Sequence, residues 1–161
     1  MRYAQLKRPY SATEYSIRTT VAALMEAPKS APPAPSRKHR ILCVDDEIEG
    51  TRLRGEILVE QGYSISICHS PLAALRYDLS LFDLAIVDFQ MPELNGLELL
   101  LRMRALGARF PVVLLTGSLD ALSHEDRILF ARWIDKGRSI QQLLDTIAEF
   151  LDPNQIPDFG T

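Results

Sequence analysis

From Arg40 onward the chain alternates short apolar runs with stretches of helical periodicity, and few folds accommodate that alternation. The runs fall at residues 41–44, 63–67, 84–87, 112–115 and, more weakly, 130–134; helical spacing falls at 49–61, 71–78, 97–106, 119–128 and 139–151. Strand and helix in strict turn signal a parallel sheet with helices on its faces. Several runs are continuously apolar, as strands covered on both sides require. The final helix has the sharpest pattern, with Ile140, Leu143, Leu144, Ile147, Phe150 and Leu151 on one face. Ser139 and Gln142 have capping-box spacing at its start. Pro71 after Ser70 marks another helix start. No internal repeat is present.

A chain of 161 residues has room for one domain of ordinary size and an appendage. With 47% hydrophobic and 24% charged residues, it has the composition of a compact globular domain. The net charge of −3 hides an asymmetry: residues 1–39 carry seven Lys/Arg against two Glu, and residues 40–161 carry eleven against nineteen Asp/Glu. So acidic a body argues against direct DNA binding by the folded part, since phosphate contacts need clustered cations. Four prolines in residues 28–36 make that stretch a linker. Ahead of it, Ile17, Val21, Leu24 and Met25, with Thr13 as N-cap, predict one short amphipathic helix, marginal alone in water, in an extension expected to be mostly disordered. The expected organisation is an extension at 1–39, a domain at 40–152 and a short tail at 153–161.

Cys43 and Cys68 are too few for a disulfide framework and lack metal-ligand spacing to each other or to His39, His69 and His124. They point to a reduced, cytoplasmic chain. The apolar run at 21–25 is flanked by Glu14 and Glu26 and is too short for a signal-peptide core. Nothing approaches the roughly 18 apolar residues of a membrane helix.

In an open parallel sheet, ligand chemistry gathers beyond the carboxyl ends of the strands. The residues there are Asp45, Asp46 and Glu47 after the first run, Asp88 after the third, Thr116 after the fourth, and Asp135 with Lys136 after the fifth. Clustered carboxylates raise one another's pKa unless a cation neutralises them. Magnesium suits such a set, binding a few carboxylates and keeping positions for water or phosphate oxygens. A carboxylate beside it can attack phosphorus to give an acyl phosphate, whose oxygens want metal, ammonium and hydroxyl around them. Asp45 and Asp46 for metal, Asp88 for attack, and Thr116 and Lys136 for the oxygens fill these roles. Taken singly, each has an ordinary reading as turn, cap or solvated charge; their arrival together at the ends of four strands favours the joint reading.

These segments resemble the receiver domain of two-component response regulators: Ile-Leu-Cys-Val-Asp45-Asp46-Glu47, Leu-Ala-Ile-Val-Asp88-Phe-Gln-Met-Pro92-Glu-Leu-Asn-Gly96, Val-Val-Leu-Leu-Thr116-Gly117, and Lys136. The resemblance spans about residues 40–151. It implies a flavodoxin-like α/β fold, a five-stranded parallel sheet sandwiched by five helices. It implies that Asp88 takes phosphate from the phosphohistidine of a histidine kinase or a histidine phosphotransfer protein. It also implies that Asp45, Asp46, Asp88 and the backbone carbonyl of Gln90 bind Mg2+, and that Thr116 and Lys136 contact the phosphoryl group, with Thr116 moving toward it as the switch.

Gly137 stands where the family usually has proline. Trp133, three residues before Lys136, is either the family's swinging aromatic or a core residue. Gln90, two after Asp88, is placed to tune phosphate lifetime. Together these features predict a single-domain switch and not a turnover enzyme, signalling by protein contact, phosphorylation-dependent homodimerisation or phosphorelay to a target the sequence does not identify. The competing readings are a degenerate receiver acting as a binding module, and a metal-dependent aspartyl phosphatase. The latter wants a second acid where Gln90 stands.

Overall fold

The computed structural model describes residues 37–117 and 122–151. The helix expected near residues 13–25, the proline-rich linker and the tail at 153–161 lie outside the described residues. Five strands, β1 (Arg40–Val44), β2 (Ser64–Cys68), β3 (Leu84–Asp88), β4 (Val112–Thr116) and β5 (Arg132–Asp135), form one parallel sheet in the order β2-β1-β3-β4-β5. The helices between and after them are α1 (Ile48–Glu60), α2 (Pro71–Ala74), α3 (Gly96–Ala105), α4 (His124–Arg127) and α5 (Ile140–Leu151). The flavodoxin-like architecture implied by the sequence is the one observed.

The continuously apolar strands divide their side chains by the period of two. Leu42 and Val44, Ala85 and Val87, and Val112 and Leu114 enter one core with Leu99, Leu100 and Met103 of α3. Their neighbours Ile41 and Cys43, Leu84 and Ile86, and Val113 and Leu115 enter a second core with Leu58 of α1 and Leu143 and Ile147 of α5. A sheet clad on both faces has nowhere to put a charge except its ends, and that confines polar chemistry to the strand termini.

Three elements differ from the sequence expectation. The second helix stops at Ala74 instead of continuing to 78, because Asp78 instead caps a 3-10 turn over Leu79–Leu81, accepting from the Ser80 amide at 3.1 Å. In the fourth helix, Ser123 accepts from the Asp126 amide at 3.1 Å, so α4 begins at His124 and leaves out Leu122 and Ser123, while residues 119–121 of the expected helix lie outside the described residues. The last strand starts at Arg132, two residues into the apolar run expected at 130–134, and Phe130 turns into the core instead of joining it. At α5, the Ser139 hydroxyl accepts from the Gln141 amide at 3.1 Å, one residue short of the expected capping-box partner. A full capping box does occur at α3, between Asn95 and Glu98.

Candidate functional site

Parallel pairing brings the strand ends to one edge. Val44 aligns with both Cys68 and Val87, Asp88 aligns with Leu115, and Thr116 aligns with Asp135. The residue beyond each end is then held by its neighbour's backbone: the Asp45 amide donates to the Cys68 carbonyl at 3.2 Å, the Phe89 amide to the Leu115 carbonyl at 2.9 Å, and the Lys136 amide to the Thr116 carbonyl at 2.9 Å. Backbone registry thus places Asp45, Asp88, Thr116 and Lys136 before any side chain chooses a rotamer.

Asp45 and Asp88 are buried, at 2% and 4% exposure, while Asp46 is exposed. One carboxylate oxygen from each of the three lies within 4.8 Å of the others. The Lys136 ammonium reaches across the group, 3.0 Å from Asp88 Oδ1 and 3.1 Å from Asp45 Oδ2. Burial pushes the Asp88 carboxyl above its ordinary pKa, against the opposing pull of the Lys136 hydrogen bond and charge. For Lys136, burial pulls down, but the hydrogen bonds and charges of Asp88 and Asp45 prevail and hold its pKa above the usual value. The result is a carboxylate kept in reach of a cation in a half-dry site. Close by in β1, burial pushes the Cys43 thiol up to about 12, so the thiol is inert.

The loop after Asp88 has a tightly fixed backbone. The Leu94 amide donates to the Pro92 carbonyl at 2.9 Å, closing a γ-turn with Glu93 at its centre at φ 71°. Gly96 then opens α3 hard against β3: its amide donates to the Phe89 carbonyl at 2.9 Å, and a Cβ there would sit 2.6 Å from the Asp88 carbonyl oxygen. Any side chain at 96 would force the helix away from Asp88.

At the opposite wall, Gly137 replaces the family's proline with a different restraint. Its amide donates to Asp135 Oδ1 at 2.8 Å, and the Arg138 amide donates to the Asp135 carbonyl at 3.0 Å. An Asp-anchored turn, which needs the N–H that proline lacks, holds the loop carrying Lys136.

The structure therefore brings Asp45, Asp46, Asp88 and Lys136 into direct juxtaposition. Thr116 is fully buried at the end of β4. Gln90 is exposed on the loop after β3. Trp133, left open between core and swinging aromatic, is 40% exposed on edge strand β5, with the Arg127 guanidinium 5.9 Å from its ring centroid; it is not a core residue. His69 Nδ1–H donates to the Asp45 backbone carbonyl at 2.9 Å.

The residue that sequence reasoning missed is Arg54 of α1, ion-paired to Asp45 Oδ2 and donating to Thr51 Oγ1 at 3.0 Å. A signal was present. Thr51, Gly55 and Leu58 form the buried stripe of α1, and Arg54, three residues after Thr51, lies along it. A cation on the inward side of an amphipathic helix needs an anion inside.

The donor set suits a hard divalent cation: three carboxylates converge, with no sulfur or imidazole among them. Comparison with known proteins points the same way. The sequence profile of the response regulator receiver domain matches residues 41–147. The transcriptional regulatory protein CpxR of Escherichia coli is 34% identical over 91 residues, covering 56% of this chain and 38% of that protein. A CpxR homologue of Haemophilus influenzae is 33% identical over 90 residues, again 56% and 38%. The chain thus spans well under half the length of these relatives. Among solved structures, the Thermotoga maritima response regulator TrrA, in complex with Mg2+-BeF, has a TM-score of 0.65 at 30% identity, covering 70% of this chain and 99% of that one. A CheY-like receiver domain of Methanospirillum hungatei has a TM-score of 0.63 at 28% identity, covering 73% and 96%.

Proposed function

Because the chain belongs to the response regulator receiver domain family, we propose that it is a phosphorylation switch in which Asp88 accepts a phosphoryl group from a phosphohistidine. The observation that carries this reading is the contact of Lys136 with both Asp88 and Asp45 at the rim of a three-carboxylate cluster. Asp45, Asp46, Asp88 and the Gln90 carbonyl would hold Mg2+. When bound, the ion supplies positive charge to the phosphoryl oxygens and relieves the repulsion among the acids.

The chain's own residues do the rest. An Asp88 carboxylate oxygen attacks phosphorus as the phosphorus–nitrogen bond breaks, the electron pair staying on the departing imidazole. Lys136, already on Asp88 Oδ1, is positioned to follow the incoming charge at little reorganisation cost. Thr116 supplies a hydroxyl at the end of the neighbouring strand, and its approach to the phosphoryl group is the step that transmits the state.

The donor is a histidine kinase or a histidine phosphotransfer protein, and the output is protein contact, including homodimerisation, rather than turnover of a substrate. The exposed apolar residues Ile128, Leu129 and Trp133, at and after α4, give that output a surface. Among the described residues no helix is long and apolar enough to cross a membrane. The single-domain expectation is tested by the size of the native polypeptide on an immunoblot.

Incubation with phosphoramidate and Mg2+ tests the core of the proposal. One phosphoryl group per chain is expected by intact mass, lost in the presence of chelator and in Asp88→Asn. Labelling that persists in Asp88→Asn would refute it. The same labelled protein reports on Gln90: Gln90→Ala is expected to change the dephosphorylation rate, and an unchanged rate would remove Gln90 from that role.

A further inference from the structure

Arg54 is not accounted for by any of the roles above. Its guanidinium takes Asp45 Oδ2 and Thr51 Oγ1, its side chain is only 19% exposed, and the carboxylate it meets is 3% exposed. Asp45 is by this point fully engaged: Oδ1 accepts the Glu47 amide at 2.9 Å, and Oδ2 also receives Lys136 at 3.1 Å. A cation entering at Asp45 Oδ2 meets an oxygen that Arg54 and Lys136 now hold.

The charge count makes this consequential. Asp45, Asp46 and Asp88 face Lys136 and Arg54, which leaves one unbalanced negative charge at the cluster; without Arg54 there would be two. Guanidinium does not give up its proton at any ordinary pH, so this occupant cannot be neutralised and can only be moved. It has somewhere to go. A cavity of about 300 Å3 opens between α1 and α5, lined by Arg54 itself together with Gly50, Leu53 and Ile140.

We propose that Arg54 is a resident counter-ion of the acidic cluster: it holds Asp45 until a divalent cation displaces it, and so sets how tightly this site binds metal. The inference rests on reading Asp45, Asp46 and Asp88 as metal ligands, and its test separates the two claims. Magnesium occupancy, and with it readiness for phosphorylation, is then weakened by a residue of this chain outside the ligand set. Arg54 is a positioning residue, acting through Asp45.

The experiment is titration with Mn2+ alone, free ion being followed by electron paramagnetic resonance, on the full chain without any phosphodonor. Arg54→Leu is expected to bind Mn2+ on the order of tenfold more tightly than wild type. Arg52→Leu is the control for bulk charge, since Arg52 is exposed on the same helix and paired to Glu56 at 2.5 Å; it is expected to change affinity by less than about twofold. Should the leucine variant not fold, Arg54→Gln keeps a polar head without the charge and is expected to move affinity the same way. Equal affinities for the Arg54 and Arg52 variants, with wild-type binding saturable and lost in Asp45→Asn, would overturn the counter-ion role and leave the metal site standing. No saturable binding by wild type or either variant would overturn both.

Discussion

Substituting Gly96 by alanine puts two physical effects in direct opposition, and the structure decides between them. Helix propensity alone favours alanine over glycine by about 1 kcal/mol in a helix interior, and by less at Gly96, the first residue of α3. Here the new Cβ would lie 2.6 Å from the Asp88 carbonyl oxygen, 3.1 Å from Phe89 Cα and 3.1 Å from Leu114 Cδ1. Carbon and oxygen rest at about 3.3 Å or more, so the start of α3 must retreat by roughly 0.7 Å. The leucine methyl can yield, but the carbonyl belongs to the backbone of β3 and cannot. Overpacking of this kind costs about 1–3 kcal/mol, which exceeds the propensity gain. A net loss of about 1–2 kcal/mol is expected, corresponding to a fall in Tm of roughly 3–10 °C for a domain of this size. Urea unfolding followed by circular dichroism measures it. Because the displaced carbonyl belongs to Asp88 itself, phosphoramidate labelling of Asp88 should slow as well. A Gly96→Ala protein as stable as wild type, or more so, would refute the close-approach argument.

Other consequences follow from the same site. Asp88 has its pKa raised in the fold, so between the ordinary carboxylate range and that raised value the native state holds more proton than the unfolded one, and stability falls as pH rises through the window. In chelator, Asp88→Asn should therefore be more stable than wild type at neutral pH, with the gap closing as pH falls below the ordinary carboxylate range; a pH-independent difference in urea midpoints would contradict this. Adding Mg2+ at about a hundred times its dissociation constant should stabilise wild type by about 2.7 kcal/mol and leave Asp45→Asn nearly unmoved, as read by thermal unfolding with and without chelator. Restoring the family's residue with Gly137→Pro removes the amide that donates to Asp135 at 2.8 Å. It should lower stability by about 1 kcal/mol, and a stabilised variant in urea titration would show that the Asp-anchored turn is dispensable.

The sheet could be read from the sequence because apolar runs too short to cross a membrane and too continuous for a surface have one solution, a strand covered twice. Its strand ends were legible for the same reason: acids directly after Val44 and Val87 can only emerge at the edge. Helix limits were less so, because single hydroxyl and carboxylate caps decide them. Asp78 and Ser123 each move a boundary by a hydrogen bond that hydrophobic periodicity does not register. Gly137 reads in the sequence only as a missing proline, and its bond to Asp135 exists only once the loop has turned. Arg54 escaped notice because its partner lies nine residues away, across the junction of strand and helix, where neither periodicity nor motif spacing looks.

The central claim is that Asp88 itself carries the phosphoryl group. Borohydride cleaves an acyl phosphate reductively and converts the phosphorylated aspartate to homoserine, so peptide mass spectrometry after treatment names the residue. With phosphoramidate and Mg2+, the account predicts homoserine at position 88 and nowhere else. Homoserine at position 45 or 46, or a phosphoryl group on the chain that leaves residue 88 as aspartate, would contradict it.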